Sequence, residues 1–459
     1  MAAHRFRLIG LCLCLAALAV GADRPPRGVS ANADQPPGAS YLKDLTVRQR
    51  ARLGRDVVAA TLRDYALEPI EAARVASHRL AERLAIRAVE LGPDRTPPPH
   101  GQSPEAGGPL TPLRLTPLFG SRPAVDALLG LITGARSRVD LMMFGWDDDP
   151  CGNAVADALV AAAGRGVVVR AMVDRGGYVL GEGNAKVARG EPTYLDRLAA
   201  TPNIHVVQAD DAHFRFDHRK VAVVDDRVVW TGGMILTQNA LTRWHNFAFL
   251  VQGPLVPRYA ELFDTRWVEQ GGCRVARRPM TENPVGFNAT ARMVRTDVNE
   301  RSLKEAVYGA VDAARHHIYV ENPYFSDLIL VRKLAAARAR GVDVRAVLTL
   351  RGDVEGMVEF STLTANHLLE AGASVYLYPA MTHVKAMSVD GAWAYVGTGN
   401  FDELSLRNNR EVGLTVRGPM VGEIDRGLFL RDMGDSQLLR SPLPVPRGWL
   451  KLALLAIWY

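Results

Sequence analysis

Two copies of one pattern, His-x-Lys-x4-Asp, carry the residues of this sequence that are best suited to chemistry. Their members are His218, Lys220 and Asp225 in the first copy and His383, Lys385 and Asp390 in the second. A glycine-containing segment follows each copy, at 232–233 and at 397–400. A single His-x-Lys is typical of a solvated strand face. Two copies with the same spacing and the same downstream glycines favour a shared function.

Histidine and lysine, each present twice, supply the groups that phosphodiester chemistry needs. A neutral imidazole can attack phosphorus and form a phosphohistidine, while a second, protonated imidazole donates a proton to the leaving alcohol. Two lysines stabilise the negative charge that develops on the non-bridging oxygens. The motifs therefore predict cleavage or transfer of a phosphodiester, with His218 and His383 as the catalytic pair and with no metal or other cofactor required.

Each motif is expected on a β-hairpin. Apolar runs flank Asp225 and Asp226 in the first copy and Asp390 and Gly391 in the second, and both dipeptides are turn signals. The His and Lys of one copy are two residues apart on the predicted strand, so their side chains point to the same face. The Asp falls at the turn, where it can anchor the hairpin or its neighbours.

The chain around the motifs alternates between strand and helix patterns, and it does so twice. The first series is a strand at 137–146, a helix at 153–166 and a strand at 167–174, and the second is a strand at 316–325, a helix at 330–341 and a strand at 342–349. The sequences RGVVVR and RGVDVR, at 165–170 and 340–345, match almost residue for residue. A strand-helix-strand unit implies a parallel crossover. The predicted fold class is therefore α/β with an internal duplication.

The terminal segments differ in composition from the repeats. A basic start and a short apolar run predict a signal peptide at 1–22, which would export the protein to a periplasmic or membrane-peripheral location. A flexible segment at 23–40, a helical appendage at 41–91 and a Pro/Gly-rich linker at 92–112 follow. The appendage either packs on the main domain or contacts a membrane or partner. The apolar C-terminal tail at 441–459 either packs on the body or lies in a membrane interface.

The charge of the chain bears on its binding partners, and its cysteine content bears on disulfide formation. The net charge of +6 comes without a dense Lys/Arg stripe and interleaved aromatic residues, so nucleic acid is not an expected partner. Two cysteines, Cys151 and Cys273, remain after the predicted signal peptide. They either pair in an oxidising compartment or stay as separate buried thiols. The oligomeric state is left open.

The motifs resemble those of the phospholipase D superfamily, whose mark is a duplicated His-x-Lys-x4-Asp, and the resemblance covers about residues 113–435. Within the superfamily, the chain is most similar to bacterial cardiolipin synthases and related phosphatidyltransferases. That similarity rests on the flanks at 321–325, 243–246 and 252–254 and on GTGNFDELSLRNNREVGL after the second motif. The resemblance implies two tandem α/β/α lobes, at 113–280 and 281–440, with the active site at their interface.

The resemblance also implies roles for individual residues. The catalytic set consists of His218, His383, Lys220, Lys385, Asp225 and Asp390. Lys220, Lys385 and Asn400 would bind the substrate phosphate. Asn400 lies 17 residues after the second motif His, and the same position in the first half is occupied by Ile235.

In the family, an acidic residue beyond each motif His orients its imidazole. Glu411 lies 28 residues after His383, and the same offset from His218 gives Asn246. If each serves its own half, Glu411 raises the pKa of His383 and keeps it protonated as the general acid. Asn246 then accepts a hydrogen bond from a neutral His218, which suits the nucleophile that the family places in its first half.

The leading hypothesis is a cardiolipin synthase-like phosphatidyltransferase that acts on phospholipid at a membrane surface through a phosphohistidine. Its acceptor is an alcohol or water, and the residues do not choose between transfer and hydrolysis. Two alternatives are a secreted nuclease of the same superfamily and a non-catalytic phospholipid-binding scaffold built on a decayed half.

Overall fold

The computed structural model describes residues 108–444 except for 181–185, 187–188, 212–214, 278–285 and 354. The elements below all belong to one compact unit. The predicted signal peptide, flexible segment, helical appendage, most of the linker and most of the C-terminal tail lie outside the described residues.

The described strands and helices fall into two series. The first has strands β1 (Thr111–Phe119), β2 (Arg138–Met143), β3 (Val168–Asp174), β4 (Ile204–Ala209), β5 (Lys220–Val224), β6 (Val228–Gly232), β7 (Trp244–His245) and β8 (Phe247–Gln252). Its helices are α1 (Ser121–Gly134), α2 (Pro150–Gly164), α3 (Arg175–Leu180), α4 (Tyr194–Ala199), α5 (Gln238–Thr242) and α6 (Val256–Glu269).

The second series repeats the first with additions at its end. Its strands are β9 (Ala289–Thr296), β10 (His317–Glu321), β11 (Asp343–Thr349), β12 (Ser374–Tyr378), β13 (Met381–Thr382), β14 (Ala386–Val389), β15 (Trp393–Gly397), β16 (Glu411–Arg417) and β17 (Gln437–Leu438). Its helices are α7 (Ser302–Ala313), α8 (Leu328–Ala339), α9 (Glu355–Glu370), α10 (Pro419–Ile424) and α11 (Arg431–Gly434), with π-helical turns at Leu404–Asn408 and Asp425–Leu430.

One mixed sheet runs through both halves, in the order β17-β12-β11-β10-β14-β15-β16-β9-β1-β8-β6-β5-β2-β3-β4. The halves join where β1 pairs with β9 in antiparallel register. Outward from that pair, both halves repeat the same order of equivalent strands. The strands β2-β3-β4 of the first half and β10-β11-β12 of the second are parallel, and β17 adds an antiparallel edge strand beyond β12. The predicted α/β duplication is confirmed.

Helices cover both faces of the sheet. On one face, α1 and α2 pack on the first half and α7 and α8 on the second, each around its own apolar core. On the other face, α6 and the C-terminal helices close a core that includes Phe249 and Phe263 from the first half and Leu414 and Phe429 from the second. This shared core holds the two halves together and fixes how their strand ends meet.

The predicted motif hairpins are present, and their Asp residues hold them to the sheet. Asp225 and Asp226 have φ of 53° and 54°, and Asp390 and Gly391 have 55° and 64°, as in two-residue type I′ turns. The Asp225 carboxylate accepts hydrogen bonds from the backbone N–H groups of residues 136–138, at the start of β2. Asp390 does the same for residues 315–317. Both Asp residues therefore anchor the hairpins from the turn end of β5 and β14, and their place in the catalytic set stays a prediction.

Asp225→Ala is expected to lower the free energy of unfolding by about 3 kcal/mol, because three backbone N–H groups lose a charged acceptor. Urea denaturation would measure the loss. The matched control is Asp126→Ala on α1, whose exposed ion pair with Arg122 contributes less than about 1 kcal/mol. A folded Asp225→Ala protein without activity would support the place of this residue in the catalytic set.

Cys151 and Cys273 are unpaired: the first is buried and the second exposed. The expectation of a disulfide is therefore wrong for this structure, and so is the expectation that both thiols are buried. Burial raises the pKa of the Cys151 thiol to about 12, so it is protonated at neutral pH. Among the described residues, no helix combines the length and apolar content needed to cross a bilayer.

Candidate active site

The two motif histidines lie at the junction of the halves, each tied by its backbone to the other half. The N–H of His218 donates to the carbonyl oxygen of Arg410 at 3.0 Å, and the N–H of His383 donates to that of His245 at 2.7 Å. The second contact continues a short parallel pairing of β7 with β13. Because Arg410 and His245 occupy equivalent positions in the two halves, the site has an approximate twofold symmetry.

Each lysine follows its histidine on the same side of the chain, as the spacing predicts. Lys220 Nζ donates to the carbonyl oxygen of His218 at 2.5 Å, and Lys385 Nζ donates to that of His383 at 2.9 Å. The relative exposure of the two lysines is 0% and 1%, and that of the histidines is 7% and 5%. Four basic side chains are therefore withdrawn from bulk water in one place.

Glu411 contacts His218 and not His383. One carboxylate oxygen lies 2.8 Å from His218 Nδ1, and the other accepts a hydrogen bond from the Thr398 hydroxyl at 2.6 Å. The expectation that Glu411 serves His383 is therefore wrong. The reason is the backbone contact between the halves: Arg410 binds the His218 N–H, so the next residue of the chain meets the His218 ring.

Asn246 makes the equivalent contact with His383. Its Oδ1 lies 3.2 Å from His383 Nδ1, while its Nδ2 donates to Ser121 Oγ and to the Ala240 carbonyl oxygen. Those two acceptors orient the amide so that its oxygen faces the ring. The expected pairing of Asn246 with His218 is thus also wrong. The amide that replaces an acid lies beside His383, and the carboxylate lies beside His218.

Aromatic rings pack against both histidines. The Phe144 ring packs edge-on to His218 with centroids 4.7 Å apart, and Lys220 Nζ lies 5.0 Å from the centroid of the same ring. The centroids of the Trp244 and His383 rings are 5.1 Å apart. The sequence assigned no role to Phe144 or Thr398, although each lies within a segment that it did single out, at 137–146 and at 397–400. The signal for Phe144 is its place directly after the strand that pairs with the motif strand.

Burial lowers the pKa of both histidines. It lowers that of His218 to about 4, with Glu411 opposing the shift and Lys220 adding to it. The pKa of His383 lies well below its ordinary value because of burial and the charges of Lys385 and Lys220. Both imidazoles are therefore neutral at pH 7. With Nδ1–H donating to Glu411, His218 keeps its lone pair on Nε2.

Burial also lowers the pKa of the lysines, to about 7 for Lys220 and well below the ordinary value for Lys385. Glu411 keeps a pKa below its usual value, because attraction to His218 and Lys220 outweighs the effect of burial. The ionised Glu411 carboxylate thus acts on three of the four buried bases, His218, Lys220 and Lys385. A phosphodiester anion placed among them would supply negative charge and raise the pKa of each basic group.

Asn400 lies two residues after Thr398, which contacts Glu411 directly. It is 5% exposed, and its Oδ1 accepts no hydrogen bond from the described residues. Its first-half counterpart, Ile235, has no polar side-chain atom. Thr398 therefore belongs with the carboxylate that binds His218, and neither first-half counterpart of these two residues, Gly233 or Ile235, has a polar side chain.

The comparisons with known proteins agree with this geometry. The family described as "Cardiolipin synthase, PLD-like domain" matches residues 128–267 and 308–428, which together are more than half of the chain and contain both motifs. The chain belongs to the phospholipase D superfamily. Within it, the chain is a cardiolipin synthase-like member and an enzyme of the phosphatidyltransferase type.

Similar proteins include two that are called cardiolipin synthase A. That of Klebsiella pneumoniae strain 342 is 28% identical over 362 residues, which cover 73% of this chain and 71% of the relative. That of Cronobacter sakazakii is 28% identical over 359 residues, with the same coverage. The solved structure of phosphatidylserine synthase from Haemophilus influenzae shares the fold, with a TM-score of 0.57 at 14% identity, over 76% of this chain and 96% of that one.

Proposed function

We propose that this enzyme transfers a phosphatidyl group from one phospholipid to an alcohol or to water, with His218 as the nucleophile. The observation that carries the proposal is the hydrogen bond between Glu411 and His218 Nδ1, at 2.8 Å. That bond orients the ring and leaves Nε2 free to attack, as a carboxylate does for the histidine of a hydrolase triad. The carboxylate also stabilises the positive charge that the ring acquires when Nε2 bonds to phosphorus.

In the first step, the His218 Nε2–P bond forms and the bond between phosphorus and the leaving oxygen breaks. His383, protonated on Nε2, gives its proton to that oxygen. In the second step, the acceptor returns a proton to His383 as its oxygen attacks phosphorus, and the N–P bond breaks. The site thereby returns to its starting protonation state.

His383 must gain a proton before the first step, although it is neutral in the free protein. The bound phosphodiester favours this, because its negative charge offsets the lysine charges that lower the His383 pKa. Asn246 Oδ1 accepts the Nδ1–H of the protonated ring as well as of the neutral one. Because an amide carries no charge, the proton is held less firmly than beside a carboxylate and is easily given to the leaving oxygen.

Lys220, Lys385 and Asn400 are assigned to the non-bridging oxygens of the phosphate. The two ammonium groups are buried at the same junction as the histidines, and charge in a site shielded from water acts strongly on a developing oxyanion. Asn400 adds an amide from the second half without adding charge.

The substrate assignment rests on the relatives. Proteins called cardiolipin synthase A support a phospholipid substrate and a lipid alcohol as acceptor. We place the reaction at a membrane surface, in a periplasmic or membrane-peripheral location, in keeping with the apolar start of the chain and its apolar end. Nucleic acid is not a proposed substrate.

The test incubates the purified full chain with phosphatidylglycerol vesicles and glycerol, and in parallel with plasmid DNA. Mass spectrometry of the lipids is expected to show phosphatidyl transfer or release of the head group, with the DNA intact. DNA cleavage without lipid turnover would make the protein a nuclease. Vesicle binding with unchanged lipids would support the scaffold alternative.

A further inference from the structure

A buried group of three side chains next to the candidate active site has no part in the proposed reaction. His245 comes from β7, Glu321 from the end of β10 and Asp432 from α11. One nitrogen or oxygen atom from each lies within 4.8 Å of the other two. The carboxyl residues are 0% and 1% exposed, and the His245 side chain is 13% exposed. The group therefore joins the two halves of the molecule.

The carboxylates of this group have more acceptor capacity than the protein satisfies. His245 Nε2 lies 2.8 Å from Asp432 Oδ2, and the Thr382 hydroxyl donates to Glu321 Oε1. The other two oxygens, Glu321 Oε2 and Asp432 Oδ1, are buried and accept no hydrogen bond from an N–H or hydroxyl group of the described residues. Burial and the neighbouring Asp432 carboxyl raise the pKa of Glu321 well above its usual value. Buried carboxylate oxygens without a donor are costly, so each such atom calls for a partner.

The approximate twofold symmetry shows what is missing. Arg410 is the second-half equivalent of His245, and its guanidinium forms ion pairs with Asp211 and Asp297. Nearby, Arg219 and Arg266 both pair with Asp217. Across the axis, no Lys or Arg among the described residues pairs with Glu321 or Asp432. Among the described residues, the acids around Arg410 have guanidinium partners, whereas Glu321 has the Thr382 hydroxyl and Asp432 has the His245 imidazole.

We propose that His245, Glu321 and Asp432 bind a divalent cation of the Zn²⁺ or Mn²⁺ class. One imidazole nitrogen and two carboxylates form a donor set that such metals take, with further positions left for water. The +2 charge of the ion balances the two carboxylates, and binding displaces any proton that they share. Sequence reasoning found no metal-ligand spacing, because the three residues are 76 or more positions apart in the chain.

This cation would help to position His383 without belonging to the candidate active site. The backbone oxygen of His245 accepts the N–H of His383, and Thr382, which donates to Glu321, directly precedes His383. An ion on the His245 imidazole and the Glu321 carboxylate therefore fixes the β7–β13 pairing that positions the second motif. No step of the phosphatidyl transfer passes through it, and its presence is independent of the proposed reaction.

The first test uses the wild-type full chain freed of metal by a chelator. Titration with ZnCl₂ or MnCl₂ is expected to give one bound ion per chain, measured by equilibrium dialysis and elemental analysis. The melting temperature is expected to rise with the free metal concentration, since an ion that binds only the folded state stabilises it. Co²⁺ in the same site is expected to give a visible absorption spectrum.

Three variants locate the site. Glu321→Gln, Asp432→Asn and His245→Gln each remove one ligand and are expected to weaken metal binding at least about 100-fold. Replacing a residue that merely hydrogen-bonds to a metal ligand can already lower metal affinity by that factor. The Co²⁺ spectrum is expected to disappear with them. Asp435→Asn is the matched control, because Asp435 lies three residues after Asp432 with a side chain that is 57% exposed.

The proposal is overturned if the wild-type chain binds neither ion and its melting temperature does not respond to metal. A proton shared by the two carboxylates would then be the better explanation, and Glu321→Gln would raise the melting temperature. Unchanged metal binding in all three variants would equally overturn the proposal by placing the ion elsewhere. The wild-type titration decides the matter even if a variant fails to fold.

Discussion

His218→Ala is expected to lower the rate of phosphatidyl transfer on the order of 10⁵-fold, because the variant lacks the atom that bonds to phosphorus. His383→Ala is expected to lose less, on the order of 10³-fold, since water can replace a general acid in part. Product formation from labelled phosphatidylglycerol would measure both. The matched control is His205→Ala, which removes an exposed imidazole from β4 and is expected to leave the rate unchanged.

The covalent intermediate provides the sharper measurement. Rapid quenching of the wild-type enzyme, digestion and mass spectrometry are expected to place a phosphatidyl-derived mass on the peptide containing His218. The same mass on the His383 peptide would contradict the assignment. It would also mean that an imidazole beside an amide attacks while one beside a carboxylate donates the proton.

Glu411→Gln is expected to lower kcat by about 10²- to 10⁴-fold, although Gln has the same shape. A neutral amide can turn its NH₂ group as well as its oxygen toward His218 Nδ1, so it fixes the tautomer less firmly, and it does not stabilise the positive ring that forms in the first step. The matched control, Glu423→Gln, makes the same substitution at an exposed position of α10 and is expected to have no effect.

The pH dependence of kcat/KM shows which ring Glu411 acts on. His218 must be neutral to attack, and its pKa is about 4, so the acid side of the wild-type profile is expected to fall only as the pH approaches that value. Glu411 opposes the lowering of this pKa by burial. Its replacement therefore lowers the His218 pKa further and shifts the acid limb to lower pH, while the maximum rate falls. A shift of the alkaline limb instead would contradict the pairing, because it would mean that Glu411 acts on the general acid.

Asn246 offers the complementary comparison. The side chains near His218 include Glu411 and Thr398, whereas the equivalent first-half positions, Asn246 and Gly233, lie on the side of His383. The close approach there explains the small residue, since a Cβ on Gly233 would lie 2.5 Å from the His383 carbonyl oxygen. The replacement of an acid by Asn246 therefore alters the surroundings of the proposed acid, while the carboxylate beside the proposed nucleophile is kept.

Much of the fold and of the site was predictable from local pattern. The β-hairpin turns follow from Asp225-Asp226 and Asp390-Gly391, because such dipeptides favour the positive φ angles that a two-residue turn needs. The shared face of His218 and Lys220 follows from the alternation of side chains on an extended chain. The duplication follows from matched segments such as 165–170 and 340–345. Each of these depends on residues close together in the sequence.

The sequence by itself therefore determined the repeated motifs, the α/β duplication and the set of residues at the candidate site. Only the tertiary structure decided their partners: Glu411 with His218, Asn246 with His383, and the meeting of His245, Glu321 and Asp432. The physical reason is that the offset of 28 residues is the same in both halves, so contacts within a half and between halves fit it equally well. The backbone hydrogen bonds that cross the junction, from His218 to Arg410 and from His383 to His245, selected the contacts between halves.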